Sequence, residues 1–179
     1  MPETASSALV PWSAFYAMTA SAAAALTGLM FVVITLVTGV ERLRRSPDGI
    51  STFSTPTVVH FCVALFTSAI LIAPWRSLSQ PAAVLGVAGL FGIAYVFRVM
   101  HLTSRLDGYA ADAEDWTWYT VVPFVSYGAI LAGAIVLTVR PPEAMFVLAG
   151  GILLLIFAGI RNAWDVVTYI AIGEPPEAD

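Results

Sequence analysis

Long apolar runs broken by short polar stretches make up most of this chain, at residues 10–40, 51–74, 81–103, 116–139 and 143–173. An α-helix rises about 1.5 Å per residue, so roughly 20 apolar residues cross a hydrocarbon layer about 30 Å thick. The pattern predicts an all-α integral membrane protein: a bundle of about five transmembrane helices in a single domain over residues 1–179. The first and last runs exceed the length of a span, which predicts tilt or an interfacial start. Trp12 and Tyr16 suit such a start, because amphipathic rings favour the headgroup level.

The polar interruptions carry further information. The first run closes at Glu41, Arg42, Leu43, Arg44 and Arg45. A signal peptide has its positive charge before the apolar run, so this order predicts a retained helix. In the second run Thr55 precedes Pro56, which reads either as an N-cap with proline at the first helical position or as a proline within a helix that starts near Ser51. The loop after the third run carries Arg105, Asp107, Asp112, Glu114 and Asp115, and the fourth run is stopped by Arg140, Pro141 and Pro142.

Composition agrees with the pattern. Apolar residues make up 59% of the chain and charged residues 11%, against roughly 45–50% and about 25% in soluble domains. The basic residues are all arginine and are scattered along the chain, which is no footprint for nucleic acid. Cys62 is the single cysteine and lies in an apolar run, where a small buried side chain is the expected role. Arginine placement then orients the chain. Arg42, Arg44, Arg45 and Arg105 fall on one face, and Arg76 and Arg140 on the other. The positive-inside rule places the first face in the cytoplasm, with the N-terminus outside and the C-terminus cytoplasmic.

Ionisable side chains are costly in lipid unless they snorkel, pair or face water, so each one in a span needs a reason. Arg98, His101 and Arg105 share one face of the third helix, and Arg161 and Asp165 are four apart on the fifth, beside Asn162. His60 lies on a narrow polar track with Thr57, Ala64 and Thr67, and Asp115, Tyr119 and Ser126 mark the fourth helix. Depth arithmetic at about 1.5 Å per residue brings His60, Arg98, His101, Asp115, Arg161, Asn162 and Asp165 towards the cytoplasmic part of the bilayer. The expectation is one polar cluster or vestibule on that side. Its structural version has the arginines snorkelling or pairing with Asp115 and Asp165; its functional version is a binding or permeation site.

Cofactor chemistry has little support in the sequence. His60 and His101 would serve as bis-histidine haem ligands only if both faced one cavity at one depth, and a hydrogen-bonded structural histidine is the stronger expectation. No HExxH, CxxC or dense carboxylate cluster suggests a metal, and no GxSxG suggests a hydrolase. Ser13, Thr19, Thr27, Thr35 and Thr38 are expected to bond their own helix carbonyls. Small residues four apart, Ala24 with Gly28, Ala82 with Gly86, Ala129 with Gly133 and Gly159 with Ala163, allow close helix contact within the chain or between subunits.

Two stretches, AAAALTGLMFVVITL at residues 22–36 and IRNAWDVVTYI at residues 160–170, together with Glu41-Arg42-Leu43, give the chain a resemblance to small bacterial polytopic inner-membrane proteins. The resemblance implies several helices in a bacterial inner membrane and supplies no activity, ligand or catalytic residue. Three function classes follow: an oligomeric channel or transporter for an ion or small solute; an accessory or assembly subunit of a larger membrane complex; and, with the least support, a membrane enzyme or redox carrier. The implied partners are the lipid bilayer and either further copies of the chain or a different membrane protein.

Overall fold

The computed structural model describes residues 5–38, 47–103 and 116–172, and side chains within 7–35, 55–101 and 116–168. Five long helices dominate: α1 (Ser13–Thr38), α2 (Pro47–Ile72), α3 (Ser79–Thr103), α4 (Val122–Val136) and α5 (Pro141–Ile172). A short helix at Ala5–Leu9 and a 3₁₀ turn at Val10–Trp12 lead into α1, and a π-helical turn at Thr117–Val121 leads into α4. All five long segments have the length and apolar composition to cross a membrane, α4 together with the π-helical turn before it as Thr117–Val136. At 32 residues α5 is the longest, roughly 48 Å. Arg42, Arg44, Arg45, Arg105 and Asp115 lie outside the described residues.

Each helix runs opposite to the one before it. The bundle therefore has a near face, where α1 begins, and a far face, where α1 ends. Around the bundle the order is α2, α5, α4, α3, with α2 and α3 closing the ring less extensively, and α1 packs outside against α2 and, to a smaller extent, α5. Exposed apolar residues such as Phe31, Phe66, Val87, Phe91 and Phe157 cover the outer surface, as a lipid solvent requires. The interior holds a hydrophobic core that includes Leu85, Ile130, Leu148, Ile152 and Leu155. It also holds Thr19, Thr57, His60, Thr67, Ser68, Ser126 and Asn162, all buried.

Glycine sets the closest helix approaches. A Cβ on Gly89 of α3 would meet the backbone nitrogen of Leu131 of α4 at 2.9 Å. At Gly151 of α5 it would meet the Ser126 carbonyl oxygen of α4 at 3.0 Å. Of the small-residue pairs, Gly133 receives Leu148 and Gly159 receives the Phe61 ring, so those two serve contacts within the chain. Gly28 and Gly86 face open space, and Ala24 beside Gly28 is exposed.

Several details differ from what the sequence suggests. Of the two readings of Pro56 the second holds, since α2 runs from Pro47 and keeps this proline inside the helix, although it starts earlier than Ser51. Tyr16 is fully buried against α5, and its hydroxyl donates to the Met145 carbonyl at 2.9 Å. A buried phenol needs such an acceptor. Trp12 at this end is partly exposed and packs edge-on against Phe15 and Phe146. Cys62 is exposed on the outer surface of α2 rather than buried. The helix hydroxyls behave as expected where described: Ser13, Thr19, Thr27 and Thr35 donate to carbonyls three or four residues back.

The opening of α4 has a local cause. Pro123 has no N–H, and a proline ring clashes with the carbonyl four residues back in an α-helix. The chain answers with a wider turn, in which the Val122 N–H bonds the Thr117 carbonyl five residues back. The next N–H in that register would belong to residue 123 and would satisfy the Trp118 carbonyl. Proline supplies none, so that carbonyl turns to a side chain from another helix.

Candidate functional site

The side chain that reaches the Trp118 carbonyl is Asn162 of α5, whose Nδ2 donates at 3.5 Å. Asn162 is fully buried, and its Oδ1 has no partner. The proline in α4 and the asparagine in α5 therefore form one unit, since the proline creates an unsatisfied carbonyl and the amide caps it.

Nearer the middle of the bundle, His60 Nδ1 lies 2.8 Å from the Tyr127 hydroxyl. Both residues are buried, at 1% and 0% exposure. Their helices, α2 and α4, stand on opposite sides of the four-helix ring, so this hydrogen bond crosses its centre. The approach depends on α3: a Cβ on Gly92 would come within 1.9 Å of Tyr127 Cδ1, so only glycine leaves room for the ring. His60 Nε2 has no partner.

The polar interior continues in both directions along α2. Thr57 lies one turn towards the far face and is fully buried. Thr67 lies two turns towards the near face, fully buried, with an unpartnered Oγ1. Beside it Ser68 meets Thr19 of α1 at 2.9 Å, and Thr19 donates to the Tyr16 carbonyl at 3.1 Å. With the Thr19 proton so placed, Ser68 is the donor of the pair. The Tyr16 hydroxyl on the Met145 carbonyl ends the series near the Trp12 end of the molecule. Buried polar groups thus recur from the near face to the far face, first where α1 meets α2 and α5 (Tyr16, Thr19, Ser68) and then within the four-helix bundle (Thr67, Tyr127, His60, Thr57, Asn162).

The residues singled out in the sequence take three kinds of position. His60 and Asn162 are inside the bundle. Arg161 and Asp165 pair with each other along α5 and are half-buried, at 32% and 35% exposure. Trp164 beside them is exposed, so this pair sits at the outer edge of the bundle near the far face. Arg98 and His101 are exposed near the end of α3 and face away from the interior. His60 points inward and His101 outward, so the two imidazoles do not face one cavity. Among the described residues no group of three or more His, Cys, Asp or Glu side chains could hold a metal ion.

Tyr127, Ser68 and Pro123 belong to this interior and were not singled out as candidates in the sequence. A tyrosine in an apolar run has no periodic signature that distinguishes a core hydroxyl from an interfacial one. Pro123 does carry a local signal, since a proline seven residues into an apolar run predicts a displaced carbonyl.

The fold and the interior together define a multi-pass, all-α membrane protein with a polar line through an apolar bundle. The chain matches no known protein family, no curated protein and no solved structure.

Proposed function

We propose that the protein is a small channel or transporter for an ion or small hydrogen-bonding solute, with the buried polar line as its path. The observation that carries this reading is His60: an imidazole near the middle of a membrane bundle, hydrogen-bonded across the ring to Tyr127, with its second nitrogen unpartnered. Polar groups in lipid are expensive, and unpaired ones more so. An assembly that served only to fill space would be more stable with apolar side chains in these places.

The path is narrow. The Tyr127 ring fills the notch at Gly92 and the Phe61 ring that at Gly159, which excludes a wide solute from this packing. Passage therefore involves species about the size of water or a bare ion, or a rearrangement of α3 against α4. The arginine distribution and the resemblance to bacterial inner-membrane proteins support placement in that membrane with the N-terminus outside. Flux from proteoliposomes tests the reading. The expected result is release of a monovalent ion, proton or small neutral solute above that of protein-free vesicles.

A second reading is an accessory subunit. It draws on the outer face of α1, where Ala14, Ala17, Ser21, Ala24 and Gly28 are exposed at alternating three- and four-residue spacing. Such a surface permits close approach of another membrane helix. Native mass spectrometry after mild solubilisation separates the readings: copies of this chain alone favour transport, and a different protein retained in the complex favours the accessory role.

A further inference from the structure

His60 and Asn162 each leave one buried polar atom without a partner, and the two atoms are of opposite kind. The Tyr127 hydroxyl has His60 as its hydrogen-bond partner. If Nδ1 carried the imidazole proton, it would donate to Tyr127, and both the phenolic proton and Nε2 would be left over. If Tyr127 donates to Nδ1, only the Nε2–H remains. The second arrangement leaves one unsatisfied group instead of two, and each such group costs about 1–3 kcal/mol. His60 thus presents a donor, Nε2–H, while Asn162, whose amide nitrogen serves the Trp118 carbonyl, presents an acceptor, Oδ1.

The two residues stand on neighbouring helices, with Asn162 further towards the far face than His60. Phe61, next to His60, has its ring where a Cβ on Gly159 would stand, and Asn162 lies three residues beyond Gly159. Side chains lean towards the start of their own helix. α2 and α5 run in opposite directions, so the imidazole leans to the far face and the carboxamide to the near face, each towards the other. The two groups thus lie within about one turn of each other, ~5 Å, along the bundle axis.

We propose that His60 Nε2 and Asn162 Oδ1 form a binding site for one small molecule that both accepts and donates a hydrogen bond, and that its resident occupant is a single water. Water accepts from Nε2–H and donates to Oδ1, which satisfies both groups in one step. This site deepens the transport reading, because an exchangeable water is the point where a permeating species would first replace solvent. Its role in passage rests on that reading; the site itself does not.

The test is magnetic resonance on the full chain in lipid nanodiscs with ¹⁵N-labelled histidine. His60 and His101 are the two histidines, and His101→Gln assigns the signals. The expected result is a His60 ring protonated at Nε2, with magnetisation transfer from water protons to that N–H, lost or reduced at least tenfold in Asn162→Leu. Asn162→Ser retains a hydroxyl acceptor and is expected to keep the transfer, which guards against loss of fold in the leucine variant. A ring protonated at Nδ1, an Nε2–H bonded directly to Asn162, or an Nε2–H with no water contact overturns the site. Flux without water contact rejects the site and spares the transport reading, whereas water contact without flux does the reverse.

Discussion

The ring of Tyr127 lies against α3 at Gly92, so close that a Cβ there would stand 1.9 Å from Cδ1. A helix surface without a side chain thus becomes the seat of the aromatic ring whose hydroxyl holds His60. Gly92→Ala forces the ring away from α3 and lengthens the bond to Nδ1. Overpacking of this kind costs about 1–3 kcal/mol. Unfolding in mixed detergent is expected to show that loss, whereas Gly86→Ala, where nothing lies within 4 Å, is expected to leave stability within about 0.5 kcal/mol.

Tyr127→Phe removes the hydroxyl and leaves His60 Nδ1 buried and unpaired, with an expected loss of about 1–3 kcal/mol. His60→Leu has a comparable effect through the stranded phenol. The double variant is expected to lose less than the sum of the two, because each change alone strands the other partner. Full additivity in a double-mutant cycle by chemical denaturation would show that the two residues are not coupled.

Pro123 and Asn162 are coupled by the same logic. Asn162→Leu leaves the Trp118 carbonyl without a donor and is expected to destabilise the bundle by about 1–3 kcal/mol. Pro123→Ala restores a backbone N–H at the position whose absence exposes that carbonyl. In the Pro123→Ala background the cost of Asn162→Leu is expected to fall by at least half. An unchanged cost, measured by the same denaturation, would mean that Asn162 acts elsewhere than on α4.

The small-residue positions divide sharply. Gly159→Leu drives a side chain into the Phe61 ring, 2.4 Å from the Cβ position, and is expected to prevent correct folding. Gly28→Leu meets nothing within the chain and is expected to keep the melting temperature of the solubilised protein. If α1 is an interface between subunits, Gly28→Leu instead lowers the mass of the native assembly.

These positions show how far the sequence alone reaches. The five spans are legible because lipid demands about twenty apolar residues per crossing, and runs such as 81–103 meet that demand without ambiguity. His60 and its polar track are legible for the converse reason: a histidine, Thr57 and Thr67 stand out against apolar neighbours, and all three are buried. The company they keep is not legible. Arg98 and Asn162 both read as polar residues in a span, yet one faces outward and the other inward, because that choice depends on how α3 and α5 rotate against α4. Glycine contacts decide those rotations, at Gly89, Gly92 and Gly151, and a glycine in an apolar run looks the same whichever way it faces. The pairing of His60 with Tyr127 across the ring is a property of the assembled bundle and of no single helix.

The orientation follows from a simple fusion. A fluorescent reporter that matures only in the cytoplasm, joined after Asp179, is expected to be bright in a bacterial host, and a dark but membrane-inserted fusion would reverse the placement of the two faces.

The most direct test of the central claim compares solute and ion flux through proteoliposomes made from the wild-type chain and from three variants. The account predicts measurable flux for the wild type and for Val87→Ala on the outer surface, with at least a tenfold loss in both His60→Leu and Thr67→Val. Equal flux in all four proteins, or none above empty vesicles in the wild type, would contradict a path along the buried polar line.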